Sequence, residues 1–371
     1  MCEVPEDRAQ GRGAFKTVSV TEAVGMVLAH DITEIRPGDG PGEGGRAPFK
    51  GRAFRKGHVV RAEDVCHLQR LGKENLFILE VGGDEMHEDE AAWALAKAVM
   101  GDGVEVRGEP REGKIDLVAA RDGLLKVNKE ALLAFNMLGD VMCATLHGNT
   151  PVRKGQVVAG TRAIPLVVKK KTVEEAVAVA RAAGHVLEVR ELRRPRAGVV
   201  ITGNEVYYGR IKDAFAPVIR EKVKAAGGEV VGLYYAPDDR AFIEERLREL
   251  LCAGADLLIT TGGMSVDPDD VTRFAVRGLG ARDVTYGSAV LPGAMFLVAY
   301  VDWADNGRSR TVPILGVPAC GMYARTTVFD LVLPRVLAGE RVGRRELAEL
   351  GHGGLCLKCP ECRYPACPFG K

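Results

Sequence analysis

Asp256-Leu257-Leu258-Ile259-Thr260-Thr261-Gly262-Gly263-Met264-Ser265 is an apolar run that stops abruptly at a Thr-Gly-Gly turn. Short continuous apolar runs mark strands buried on both faces, the pattern of parallel sheets. A matching event lies upstream, where Ala197-Gly198-Val199-Val200-Ile201 runs into Thr202-Gly203-Asn204-Glu205. In open α/β sheets, ligands bind just beyond the carboxyl ends of such strands. Two glycine turns at two strand ends therefore predict one crevice that receives an oxyanion.

Working outward, apolar segments at 197–201, 229–235, 256–260, 296–301 and 312–315 alternate with helical stretches at 213–226, 240–253, 269–278 and 324–338. In the second of these stretches Phe242, Leu247, Leu250 and Leu251 supply an apolar face. This alternation predicts a three-layer α/β domain with a mostly parallel sheet. The preceding region reads as mixed α+β. Helices are expected near 21–29, 62–72, 88–100, 129–138 and 172–183, with a strand at 75–81 and short strands between 115 and 168. Ser19-x-x-Glu22 reads as a capping box for the first helix, and His87 before Glu88-Asp89-Glu90 reads as a helix start rather than a metal ligand. The expected division is a flexible tail at 1–15, an N-terminal region at 16–175, a helix and linker at 176–196, the α/β domain at 197–340 and a cysteine-rich tail at 341–371. A Gly/Pro-rich loop at 37–48 sits among Arg36, Arg46, Lys50, Arg52, Arg55, Lys56 and Arg61. It is either a solvated hairpin or a lid over an anionic ligand.

The 371 residues carry a net charge of +1, so no global electrostatic footprint for nucleic acid or an anionic membrane exists. The longest apolar stretch, 289–301, is broken by Pro292 and Gly293 and is too short to span a bilayer. The N-terminus lacks a basic and apolar signal pattern, which makes the cytoplasm the expected compartment.

Gly203, Gly262 and Gly263 can take positive φ and let the backbone approach a ligand. Amides at the following helix starts then suit phosphate or molybdate oxygens, and Thr202, Thr261 and Ser265 add hydroxyl donors. Glu205 and Asp270 cannot favour an anion directly; they suit Mg²⁺ or the hydrogen-bond donors of a heterocycle. Neither strand-end turn carries a Gly-x-Gly-x-x-Gly fingerprint, and no Walker-type lysine is present.

These residues carry a family likeness. Thr202-Gly203-Asn204-Glu205, Pro237-Asp238-Asp239, Thr261-Gly262-Gly263-Met264-Ser265-Val266 with Asp270, Pro292-Gly293 and Gly316-Val317-Pro318 resemble the molybdopterin-binding domain of molybdopterin adenylyltransferases and molybdenumtransferases, including the insertase part of gephyrin. The resemblance spans Ala197 to Glu340. It implies that Thr202, Gly203, Asn204, Thr261, Gly262, Gly263, Met264, Ser265, Pro292, Gly293 and Pro318 hold molybdopterin or its adenylylated form. It further implies that Asp270 and Glu205 organise the chemistry with Mg²⁺, that molybdate is the second substrate, that a molybdoenzyme receives the product, and that the protein is a homodimer. Upstream, Phe54-Arg55-Lys56-Gly57-His58 and Thr161 to Val168 are similar to N-terminal parts of molybdenumtransferases. The Ala-Met-Asp-Gly-Tyr-Ala motif of full-length members is absent. Their Lys-Pro-Gly-Lys turn is replaced by Leu291-Pro292-Gly293-Ala294, and their Leu-Pro-Gly-Asn-Pro turn by Val317-Pro318-Ala319-Cys320-Gly321. Losing two cations beside an oxyanion removes stabilisation that group transfer uses. The same motifs thus leave three readings: molybdate insertion, a non-catalytic cofactor carrier, chaperone or sensor, and molybdopterin adenylylation.

Of nine cysteines, Cys2, Cys66, Cys143, Cys252 and Cys320 are isolated and read as buried small hydrophobes. Cys320 also falls in the expected crevice, within reach of a thiol–ligand contact. Cys356, Cys359, Cys362 and Cys367 crowd the C-terminus as C-x2-C-x2-C-x4-C followed by Pro368. That spacing is one residue longer at the last step than the ferredoxin run that wraps a [4Fe-4S] cluster. Zn²⁺, with His352 as a substitute ligand, and a redox-sensitive thiol tail are the other readings.

Overall fold

The structure is a computed structural model that describes residues 15–36, 49–79, 82–263, 271–305 and 308–371. The loop at 37–48 and the site candidates Met264, Ser265 and Asp270 lie outside the described residues.

The Arg196–Thr202 strand pairs in parallel with Glu229–Ala236 on one side and Leu257–Thr261 on the other. Leu257–Thr261 then pairs in parallel with Arg308–Val317. Leu297–Asp305 and the edge strand Arg282–Tyr286 complete the six-stranded sheet in antiparallel fashion. Alternate side chains face opposite layers, as a pleated strand requires. Val199, Ile201, Leu257 and Ile259 meet the helices Phe215–Ala225 and Val328–Leu337. Val200 and Leu258 meet Arg240–Cys252 and Thr272–Gly278 on the other face. The fold is the expected three-layer α/β arrangement. Two differences concern the antiparallel half. The hairpin 297–305/308–317 runs on past the apolar run into Asp302, Trp303, Arg310 and Thr311, and the edge strand Arg-Asp-Val-Thr-Tyr carries no apolar run at all. Half-solvated strands need apolar residues on one face only.

Residues upstream of 196 hold two cores rather than one. In the first, Phe15–Ser19 pairs with Asn75–Leu79 and Ile32–Arg36 with Phe49–Phe54, around Val18, Leu28, Ile32, Leu68 and Ile78. The helix expected at 21–29 is a turn. The Ser19–Glu22 reciprocal bonds do form (Ser19 N to Glu22 Oε2 and Glu22 N to Ser19 Oγ, both 3.3 Å). Gly25 at φ +86° then reverses the chain, and Val27 and Leu28 bridge to Val59 and Ile78. Burying Leu28 outweighs a propensity worth only tenths of a kcal/mol per residue.

The second core packs the helices Glu88–Val99 and Lys170–Ala182 on two small sheets. His87 caps the first of these helices, accepting from Asp89 N at 3.2 Å. Much of the expected linker belongs to this core: Ala176 and Ala180 are buried, and Leu187–Arg190 pairs with Gly123–Val127. At the other end, the core of the α/β domain continues past residue 340 through Val342, Leu347, Leu350 and Phe369. Of the isolated cysteines, Cys143 is buried, whereas Cys66 and Cys252 are exposed.

A charged cluster joins the second core to the α/β domain. Lys126 Nζ lies 2.9 Å from Glu340 Oε2, and Arg335 Nε lies 3.1 Å from Glu340 Oε1. Arg335 is buried. Burial alone would raise the Glu340 carboxyl, but the hydrogen bonds and charges of Arg335 and Lys126 hold it down at about 2. A carboxyl depressed from 4.5 contributes stability that is complete above that pH and is lost as pH falls toward 2. Glu340→Gln is expected to destabilise the protein by about 3 kcal/mol at pH 7 and to flatten the acid limb of its stability profile. Urea denaturation across pH checks both.

Candidate ligand-binding site

The two glycine turns leave neighbouring strands and meet through Thr202. Its Oγ1 donates to Thr261 O at 2.9 Å and lies 3.1 Å from Thr272 Oγ1. The turns fit only because two side chains are missing. Gly262 sits at φ +79°, where a Cβ would fall 2.3 Å from Thr202 O. Gly263 sits at φ +57°, where a Cβ would fall 2.4 Å from Thr272 Oγ1. Glycine at these positions is a steric requirement, beyond its backbone freedom.

Beyond the turns opens a cavity of about 710 Å³. Its wall includes Thr202, Glu205, Gly262, Gly263, Pro292, Gly293 and Pro318, all expected from the sequence. Three expected residues are placed elsewhere. Thr261 is fully buried. Asn204 exchanges hydrogen bonds with Asp238 (Asn204 N to Asp238 Oδ2 3.0 Å; Asp238 N to Asn204 Oδ1 3.2 Å) and faces a separate groove with Tyr208 and Phe242. Gly203 sets the turn, donating its N–H to Ala236 O at 3.2 Å, without lining the cavity.

Other wall residues were not expected. Asp213 caps the Phe215–Ala225 helix through the amides of Phe215 and Ala216, at 2.8 and 2.9 Å. Lys212 stands beside it, and Met295, Met322, Leu355, Cys356 and Lys358 complete much of the wall. Cys320 lines the cavity, as its position in the sequence suggested, and burial pushes its thiol up. A signal for the C-terminal residues was absent because they arrive from a remote segment. That segment is tied down at Leu291, whose N–H donates to Gly354 O and whose carbonyl accepts from Cys356 N, both at 2.8 Å.

Residues 198–338 match the family described as a probable molybdopterin binding domain. The chain carries a molybdopterin-binding domain. Residues 17–80 match a domain of unknown function (DUF8806), which coincides with the first of the two upstream cores. A CinA-like protein of Mycobacterium sp. (strain MCS) is 37% identical over 89 residues, 24% of this chain and 21% of the relative. A CinA-like protein of Mycobacterium tuberculosis is 40% identical over 77 residues, 21% of this chain and 18% of the relative. The chain thus spans about a fifth of the length of these curated relatives. Among solved structures, the molybdopterin biosynthesis enzyme MoaB of Thermus thermophilus is 25% identical and covers 39% of this chain and 98% of its own, with a TM-score of 0.32.

The molybdopterin-binding domain's cavity borders a second one, of about 510 Å³, lined by Cys320, Cys356, Cys359, Cys362 and Cys367. The four tail thiols share this space without meeting at a point. No group of three or more His, Cys, Asp or Glu side chains among the described residues is gathered to hold a metal ion. The Thr326 hydroxyl, 3.2 Å from Cys362 Sγ, draws that thiol below its ordinary value. Among the described residues no helix is long and apolar enough to cross a membrane.

Gly262→Ala is expected to cost about 2–3 kcal/mol and to lose ligand binding. Gly209→Ala has the same backbone sign, at φ +69°, but open space around its Cβ, and should cost about 1 kcal/mol. Thermal unfolding of the two variants separates clash from backbone strain.

Proposed function

We propose that the chain binds molybdopterin, or its adenylylated form, in the 710 Å³ cavity and inserts molybdate into it during molybdenum-cofactor biosynthesis. The observation that carries this reading is the convergence of the Thr202 and Gly262–Gly263 turns on one cavity. Backbone amides of the glycine turns suit an oxyanion there, while Phe215, Met295, Met322 and Pro318 offer apolar surface to a flat heterocycle. In this role the protein positions two reactants rather than forming a covalent intermediate. Glu205, on the cavity wall, and Asp270 are the proposed acids; they would hold Mg²⁺, which would supply charge neutralisation to a phosphorylated ligand. The proposal extends to a homodimer in the cytoplasm that passes its product to a molybdoenzyme.

The carrier, chaperone or sensor reading has one observation in its favour. Leu291 and Ala294 line the cavity at positions where a cation would stabilise a transferring oxyanion. Adenylylation of molybdopterin is a third reading and predicts AMP transfer from ATP. Purified protein given adenylylated molybdopterin and molybdate is expected to release AMP and yield active cofactor. Tight binding without AMP release would sink insertion and leave the carrier.

The tail cysteines are proposed to hold a [4Fe-4S] cluster or Zn²⁺ only if they close toward one another, since their present placement does not fit a formed centre. No step is derived through such a group. Anaerobically purified protein is expected to carry stoichiometric iron or zinc by elemental analysis, and Cys359→Ser to lose it. Metal-free protein would leave a thiol tail.

A further inference from the structure

We propose that Lys358, carried by the C-terminal tail, binds the anionic end of the ligand in the glycine-turn cavity, which makes the tail a wall of that site. The inference rests on the reading that this cavity takes a phosphorylated pterin. Lys212 and Lys358 are the two cationic side chains on the cavity wall among the described residues. Opposite charges there belong to Glu205 and Asp213, and the Asp213 carboxylate is engaged by two helix amides and the Tyr235 hydroxyl. No ion pair forms at Lys358 among the described residues, so its ammonium is available to a ligand phosphate. Charge-assisted bonds of this kind are among the stronger ones a site can make.

The tail delivers this lysine from a folded position. Leu355 bridges in parallel to Leu291, beside Pro292 and Gly293 of the cavity wall. Phe369 is buried in the domain core, the Tyr364 hydroxyl donates to Asp330 O at 3.2 Å, and Gly370 N donates to Gly353 O at 2.9 Å. These anchors stand on both sides of Lys358, which takes a left-handed backbone at φ +51°. The same short segment separates the ligand cavity from the thiol cavity. Pro292, Cys320, Leu355, Cys356 and Lys358 line both. A ligand drawn to Lys358 therefore braces the wall that holds the cysteines, and the Cys356 N–H bond to Leu291 should open less often.

The test is titration of purified full-length protein with anaerobically prepared molybdopterin, paired with amide hydrogen exchange. Lys358→Ala should weaken binding on the order of tenfold, and Lys358→Arg should retain most of it. Lys358→Gly is the decisive variant: it removes the amine at a left-handed position, so the thermal midpoint should hold or rise while affinity falls as in Lys358→Ala. In the wild type, molybdopterin should slow exchange at 355–358 and leave the Glu88–Val99 helix unchanged. Failure of the wild type to bind molybdopterin overturns the cavity reading itself. Wild-type binding with unchanged affinity in Lys358→Ala and Lys358→Gly, or with no slowing at 355–358, overturns the role of the tail alone.

Discussion

The Thr202 hydroxyl is the small contact on which the site depends. It ties the end of one parallel strand to the end of its neighbour by donating to Thr261 O and lying against Thr272 Oγ1. In a parallel sheet, adjacent strand ends diverge into separate loops, and nothing in the ladder itself holds those loops together. A buried side-chain bond across them does, at the expense of excluding every side chain from Gly262 and Gly263. The backbone is thereby exposed to the cavity, which is where an anion finds amides. The structural demand for closeness and the chemical demand for bare backbone are met by the same residues.

The rest of the chain arranges itself around that domain through a few specific joints. Glu340 takes bonds from Arg335 of its own domain and Lys126 of the preceding core. Half-buried charges of this sort are costly unless fully satisfied, so the joint fixes how the two cores meet. The C-terminal segment is a second joint. Its buried Phe369 and the Leu291 bridge make it part of the domain core and of the cavity wall. The cysteines it carries line a space beside the glycine-turn cavity, which places thiols next to the proposed ligand site.

Much of the α/β domain was legible in the sequence, because buried parallel strands must be continuously apolar and their helices must follow at short spacing. The N-terminal turn at 21–29 was not, although its capping pair forms as the sequence suggests. There a local signal was present, but the burial of Leu28 decided the outcome. The polar edge strand at 282–286 escaped because it presents only one face to the core. Within the site, Thr202, Gly262 and Gly263 were legible as turn chemistry at strand ends, and Pro292, Gly293 and Pro318 only through the family resemblance. Asn204 and Thr261 belong to the same turns, yet one is held by Asp238 and the other points into the core.

The sequence by itself determined the parallel half of the sheet, its layers and the glycine turns, since each is written in residues close together along the chain. Only the tertiary structure decided that the remote C-terminal segment returns to the Leu291 turn and brings Lys358 and Cys356 to the cavity. Local patterns encode strand, helix and turn through periodicity and backbone preference. Which distant segments share a wall depends on packing and a few long-range hydrogen bonds, and these leave no periodic trace in the chain.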